Sequence, residues 1–302
     1  MIRIILLGRT GNILFQYALG RLLAEKHGVP LVLGAHWYNR EGWAEVSHFL
    51  KLPIRAKVAR GGTAGSIASR ALRKLTNKHN WEYLGLPVLK ENELDHSFDR
   101  RFLDAQADCV LFGYFQSPRY FATMADLLRA EINGLLIQGV GASCPQSFIQ
   151  KISQSNSIAV HVRRGDYLQI PVYHACDEDY YRQSVDEMRA RIPNARFFIF
   201  SDDPEWCRGA FHGEDTEVID SGEAAGNPLH DLHLMSLAGH HIIANSSYSW
   251  WAAWLGDKPG QQVIMPERWF AKEIHAPMEE KRGGGNWEIV SREQHGRIAP
   301  SR

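Results

Sequence analysis

Ser157-Ile158-Ala159-Val160-His161-Val162-Arg163-Arg164-Gly165-Asp166-Tyr167 is the stretch on which the reading of this chain turns. An apolar run with three β-branched residues (Ile158, Val160, Val162) stops abruptly at two arginines, a glycine and an aspartate. Such a run is a buried strand whose carboxyl end delivers Arg163 and Arg164 into a crevice. Two guanidinium groups at that place call for an anion, and the planar fork of arginine suits a phosphate. The plainer alternative is a surface ion pair between these arginines and Asp166.

The same arrangement recurs downstream. Strand-like Arg196–Phe200 ends in Ser201, Asp202 and Asp203, and Glu217–Ile219 ends in Asp220 and Ser221. His241–Ala244 ends in Asn245, Ser246 and Ser247, which lead straight into a helix over 247–255. Further helices are expected over 179–192, from Pro204, and over 227–239, with a last strand over 262–265. Strict alternation of this kind means a parallel sheet covered on both faces, with all the polar strand ends on one edge. The helix start at 245–247 supplies backbone N–H groups and hydroxyls, an anion site. Each strand end alone is an ordinary helix cap. Four together with the arginine pair make a diphosphate cradle that requires no metal.

The first half opens as a βαβ unit. Strand-like 2–7 is followed by Gly8-Arg-Thr-Gly-Asn12, with Asn12 as the expected N-cap of a helix. Phe15, Ala18, Leu19, Leu22 and Leu23 share its apolar face, and Gly28 and Pro30 end it. Leu31–Leu33 is the next strand. The pattern loosens over 37–106, with a glycine-rich loop at 61–65, then resumes as a strand over 109–115 and a helix over 118–132. Residues 134–145, with three glycines, are the expected linker, giving domains 1–145 and 146–302.

The chain has 302 residues, 44% apolar and 23% charged, and a formal charge of zero, which does not point to nucleic acid. Charge is nevertheless uneven: Lys51, Arg55, Lys57, Arg60, Arg70, Arg73, Lys74 and Lys78 fall in a stretch without an acid. That block is either a solvated helix face with a loop or a peripheral contact for an anionic membrane. Cys109, Cys144, Cys176 and Cys207 form no C-x-x-C pair, which suits a reducing compartment. The apolar start is too short for a signal peptide, and no run of 18 apolar residues exists, so a cytoplasmic location is expected. There is no G-x-G-x-x-G after a strand and no P-loop, which argues against a nicotinamide dehydrogenase and a P-loop phosphotransferase.

In combination these blocks resemble α-1,2-fucosyltransferases of glycosyltransferase family 11, and more distantly other fucosyltransferases that use GDP-fucose. Gly8-Arg-Thr-Gly-Asn-Ile-Leu-Phe-Gln-Tyr-Ala18 is similar to the family's G-x-x-G-N-Q-x-F-Q-Y-A signature, with Ile13 where the family has Gln. His161–Tyr167 is similar to its H-x-R-R-G-D-Y motif. Phe200-Ser-Asp-Asp-Pro204 and Ile243-Ala-Asn-Ser-Ser-Tyr-Ser-Trp-Trp251 are similar to two later donor-site motifs. The resemblance implies an α/β fold of GT-B type, two Rossmann-like domains facing a cleft, acceptor side first and donor side second. It implies that His161 and Asp231 read guanine and that Arg163 and Arg164 hold the β-phosphate with Ser246 and Ser247. Asp202 and Asn245 belong to the same donor-side set.

The implied reaction is inverting, metal-independent transfer of fucose from GDP-fucose to O2 of a terminal galactose. No organic cofactor is implied. Arg163 would stabilise the departing diphosphate, Asp166 is the nearest base by sequence, and Asn12 would orient the acceptor or the fucose. A lipid-linked glycan acceptor, with residues 51–78 at the inner face of the membrane, fits this picture. The alternatives are another linkage or acceptor, and a non-catalytic GDP-sugar-binding protein.

Three rival readings are weaker. Asp177-Glu178-Asp179 is a D-x-D string of the sort that binds a metal, but it opens a helix, where acids complement the dipole. His230, His233, His240 and His241 lack a third ligand of matching spacing for zinc. Arg164-Gly165-Asp166 follows a buried strand, not an exposed loop tip of the kind adhesion receptors read. Trp250, Trp251 and Trp254 are expected to pack helix on sheet and not to stack on sugar.

Overall fold

A computed structural model of the chain describes residues 1–36, 38–60, 86–92, 97–154, 156–219, 227–270, 283–284 and 286–290. The chain divides into two units, Met1–Leu135 and Leu136–Arg302.

The first unit is built on a parallel sheet in the order β3-β2-β1-β5-β4. Its strands are β1 (Ile2–Ile5), β2 (Leu31–Gly34), β3 (Lys57–Ala59), β4 (Val88–Lys90) and β5 (Cys109–Phe112). Helix α1 (Thr10–His27) runs back along it, with 13 residues buried, and stops at Gly28 in the left-handed region (φ 62°). Arg9, not Asn12, occupies the N-cap position, so Asn12 lies one turn further in than expected. The helix begins early because Gly8 adopts φ 75°, turning the chain at once out of β1. A Cβ on Gly8 would stand 2.1 Å from Asn12 Nδ2, so only glycine brings Asn12 that close. Ile13, at the family's Gln position, is fully buried.

Helix α2 (Arg40–Leu50), β3 and β4 lie where the sequence pattern loosens. Expected helix 118–132 is instead two short 3-10 turns followed by α3 (Ala125–Leu136). The expected linker 134–145 is not extended. Gly134 lies inside α3, and Ile137–Gly141 winds on as a π turn with Val140 buried. A buried apolar anchor keeps that glycine-containing segment coiled, and the division between units falls ahead of the expected boundary at 145. Glycine-rich 61–65 and the last dozen residues lie outside the described residues.

The second unit holds α4 (Gln146–Ile152), β6 (Ser157–Val162), α5 (Glu178–Arg191), β7 (Arg196–Ser201), α6 (Pro204–Ala210) and β8 (Thr216–Val218). It continues with α7 (Pro228–Leu237), β9 (His240–Ile242), α8 (Ser247–Leu255), β10 (Val263–Pro266) and β11 (Trp287–Val290). The strands form one parallel sheet ordered β11-β10-β9-β6-β7-β8. Read from the β8 side, this is the doubly wound 3-2-1-4-5-6 order of a Rossmann fold. β6 is buried along its whole length, because helices cover both faces. One face packs Ile158, Val160 and Val162 against Tyr181, Val185 and Met188 of α5. Trp250, Trp251 and Trp254 are at most 2% exposed and meet one another at 5.0–6.1 Å. The expected packing role is what they perform.

Thus both units are Rossmann-like α/β layers, as expected. Among the described residues no helix is long and apolar enough to cross a membrane, and all four cysteines are free.

Candidate active site

In a doubly wound sheet, ligands bind beyond the carboxyl ends of the strands where the winding reverses. In the second unit that point lies between β6 and β9, which are neighbours with Val160 opposite Ile242. Residues just beyond them, 163–166 and 245–247, are the ones the sequence singles out.

Arg163 is four-fifths buried and held by two carboxylates: Asp166 Oδ1 at 2.6 Å and Asp202 Oδ2 at 3.0 Å. Asp202 also accepts from the Arg164 backbone N–H at 2.9 Å. A Cβ on Gly165 would lie 2.6 Å from Asp202 Oδ2, so the glycine of the Arg-Arg-Gly-Asp run lets β7's end reach β6's end. Arg164 behaves differently. Its Nε donates to Asp203 Oδ2 at 3.0 Å and its guanidinium lies 4.0 Å above the Trp206 ring. Asp203 in turn caps α6 by accepting from Trp206 N, and that bond, followed by Arg164, holds its carboxyl below the ordinary range. The arginine pair is therefore split, with Arg164 tied to α6.

His161 is buried, 5.6 Å from the Tyr248 ring, and its Nδ1 has no hydrogen-bond partner among the described residues. Burial, then the charge of Arg163, pushes its pKa down to about 3, so the imidazole is neutral at physiological pH. Tyr248 donates its hydroxyl to the Pro228 carbonyl at the start of α7. Asp231 stands in the first turn of that helix. Ser246 caps α8, its hydroxyl accepting from Tyr248 N at 3.3 Å, and Ser247 opens the helix. Asn245 is buried. Both of its amide hydrogens are given to backbone carbonyls, Tyr173 at 3.1 Å and Trp269 at 2.9 Å. Its side chain has no donor left for a phosphate. Asp220 and Ser221 lie outside the described residues.

The profile of glycosyl transferase family 11 matches residues 77–290. The chain belongs to this family. It is 30% identical over 274 residues to an alpha-1,2-colitosyltransferase of Escherichia coli, covering 89% of this chain and 92% of that protein. To galactoside alpha-(1,2)-fucosyltransferase 1 of Plecturocebus brunneus it is 28% identical, over 82% of this chain and 63% of that protein. Among solved structures, fucosyltransferase NodZ from Bradyrhizobium aligns at a TM-score of 0.46 and 14% identity, over 83% of this chain and 91% of that one.

The first unit of this family 11 chain has its own reversal point, between β1 and β5. Asn12 sits there, its Oδ1 accepting from Gln116 Nε2 at 2.8 Å. Gln16, fully buried, accepts from Leu7 N at 3.2 Å and donates to the Gly113 carbonyl at 2.9 Å, so it joins the ends of β1 and β5. Glu91 accepts from Tyr114 N at 2.6 Å and Phe115 N at 3.1 Å, fixing Phe115 at φ 54°. The Tyr38 hydroxyl bonds the Gly8 carbonyl. Gln16 stands in the N-terminal motif without a role that the sequence assigns, and Glu91 carries no sequence signal at all. A buried Gln inside an apolar helix face is the one available signal.

Several residues of the rival readings have local partners. Asp177 caps α5 by accepting from Tyr180 N at 3.0 Å, and Asp179 pairs with Arg182. His230 meets Ser143 Oγ, His240 accepts from Gln262 N, and His241 lies between the Met235 carbonyl and Gln261. Of the basic stretch, Arg55 pairs with Glu131 at 3.6 Å and Arg60 lies 3.6 Å over Trp43. Residues 61–85 are outside the described residues.

Proposed function

We propose that this family 11 glycosyltransferase moves L-fucose from GDP-fucose to a hydroxyl of a glycan, O2 of a terminal galactose, in α-1,2 linkage, with inversion and without a metal. The observation that carries the reading is Arg163, a largely buried guanidinium at the reversal point of the second sheet, poised between the Asp166 and Asp202 carboxylates. The acceptor oxygen attacks C1 of the sugar as the bond from C1 to the β-phosphate oxygen breaks. The electron pair leaves with GDP, and the acceptor's proton passes to a base, for which Asp166 is the nearest candidate by sequence. Charge growing on the leaving oxygen is met by Arg163 and by the start of α8, interactions that strengthen in the transition state. The neutral His161 imidazole and Asp231 suit the hydrogen-bonding edge of guanine. Asn12, in the first unit, is proposed to orient the acceptor. A lipid-linked acceptor and a peripheral membrane contact through residues 51–78 extend the same proposal.

A second reading is favoured by the E. coli relative, named for colitose. Colitose is fucose without its 3-hydroxyl, so a cradle for the diphosphate does not tell the two donors apart. The test is a donor panel of GDP-fucose, GDP-colitose, GDP-mannose and UDP-galactose with a galactose-terminated acceptor, run with and without EDTA, followed by linkage analysis of the product. Transfer from GDP-fucose in EDTA, with a new α-1,2 bond, is the expected result. Transfer from GDP-colitose alone replaces the donor, a different linkage replaces the acceptor assignment, and binding of GDP without turnover of any donor leaves a sugar-nucleotide-binding protein.

A further inference from the structure

The chain leaving β6 does not go directly into α5. It first forms two 3-10 turns, Asp166–Gln169 and Pro171–Tyr173, across the reversal point toward the end of β9. There the Tyr167 hydroxyl donates to the Asn245 carbonyl at 3.2 Å, and Asn245 Nδ2 donates back to the Tyr173 carbonyl at 3.1 Å and to Trp269 O at 2.9 Å. The Tyr167 and Tyr173 rings stack at 4.7 Å, and Tyr173 meets Phe270 at 5.8 Å. Burial pushes the Tyr167 phenol up to about 12, which keeps its proton on the hydroxyl. One residue, Asn245, therefore closes both ends of an eight-residue segment and ties it to the chain after β10. That segment begins with the Asp166 carboxylate that grips Arg163 at 2.6 Å.

We propose that Asn245, with Tyr167, is a positioning residue: the pair straps the Asp166–Tyr173 segment across the β6/β9 reversal point and so aligns Arg163 for transfer. The inference rests on the reading of Arg163 given above. Asn245 does not reach the nucleotide by its amide, since both hydrogens are spent on backbone carbonyls. Arg163 keeps a second anchor, Asp202 on the neighbouring strand end, which the strap does not touch. Without the strap, ground-state binding of the diphosphate persists and only its alignment with the reacting bond suffers.

The test compares Tyr167→Phe, Asn245→Asp and Arg163→Ala in the full chain, measuring kcat, donor KM and the Kd of GDP by calorimetry. Tyr167→Phe removes one hydroxyl and keeps the stacked ring, so it folds even where Asn245→Asp does not. Both strap variants are expected to lose about ten- to a hundredfold in kcat, the scale of a small misplacement, with donor KM and GDP Kd within about threefold of the parent. A role confined to folding would lower the melting temperature and the active fraction, leaving kcat per folded molecule intact. That result, or GDP affinity falling in step with kcat, overturns the strap. A fully active Arg163→Ala enzyme overturns the site reading beneath it, an outcome the strap variants alone do not produce.

Discussion

At the edge of the first sheet, Gln16 and Glu91 spend their polar atoms on backbone groups, whereas at the edge of the second, Arg163 and Arg164 spend theirs on carboxylates. The difference separates shape from chemistry. A buried side chain bonded to backbone N–H and C=O groups has no substitute partner, so its loss strands those groups and the turn they form. A guanidinium bonded to partly exposed carboxylates has a substitute partner, because the oxygens of an incoming anion accept the same hydrogen bonds. The first edge is fixed. The second is poised to accept an anion.

Four substitutions break or sharpen this contrast, taken from the largest effect down. Arg163→Ala should lower kcat by about 10²- to 10³-fold, the usual consequence of losing one preorganised donor to developing charge. Its circular dichroism and melting curve should match the parent, and full activity would remove Arg163 from the chemistry. Glu91→Ala, at the fixed edge, should do the reverse. It strands two backbone N–H groups and releases the positive φ of Phe115, costing about 1–3 kcal/mol in urea unfolding. An unchanged unfolding midpoint would show that the turn does not depend on the carboxylate.

The third concerns acid. His161 and His241 are buried as neutral rings with pKa values pushed down to about 3, by burial first in both. The unfolded chain takes up protons at the ordinary histidine value near 6.5, so this stability is complete above about pH 6.5 and drains away as pH falls toward 3. Replacing His241 with Asn should flatten the decline in unfolding free energy between pH 7 and pH 5, and an equally steep decline in the variant would exclude His241 as a contributor. The smallest effect belongs to Asp203→Asn. The amide still caps α6 but no longer pairs with Arg164, a loss expected to cost less than about 1 kcal/mol. A larger drop would mean that Arg164 is tied down as firmly as the backbone-bonded edge.

Much of the second unit was legible because its strands are buried on both sides and end in charged residues. Continuous apolar runs with abrupt polar ends locate β6, β7 and β9 to within a residue or two, and Asp177, Asp203 and Asn227 signal helix starts that the structure confirms. Strands β3, β4 and β11 were not legible. They are three or four residues long and half-exposed, and their pairing comes from neighbours already in place, not from their own pattern. The helix start near Asn12 was misplaced by three residues because the positive φ of Gly8, not a capping side chain, sets it.

For the site, the sequence alone determined which chemical groups gather at one edge. Continuous apolar strands alternating with helices oblige Arg163, Asp202 and Ser246 to emerge at the same edge of a parallel sheet. Only the tertiary structure decided how those groups are partnered. It parts Arg164 from Arg163 by way of Asp203 and Trp206, and joins the Asn245 amide to two backbone carbonyls. Hydrogen-bond partners lie 24 to 78 residues away along the chain, at distances local patterning does not encode, and they are chosen by which strand ends the winding of the sheet makes neighbours.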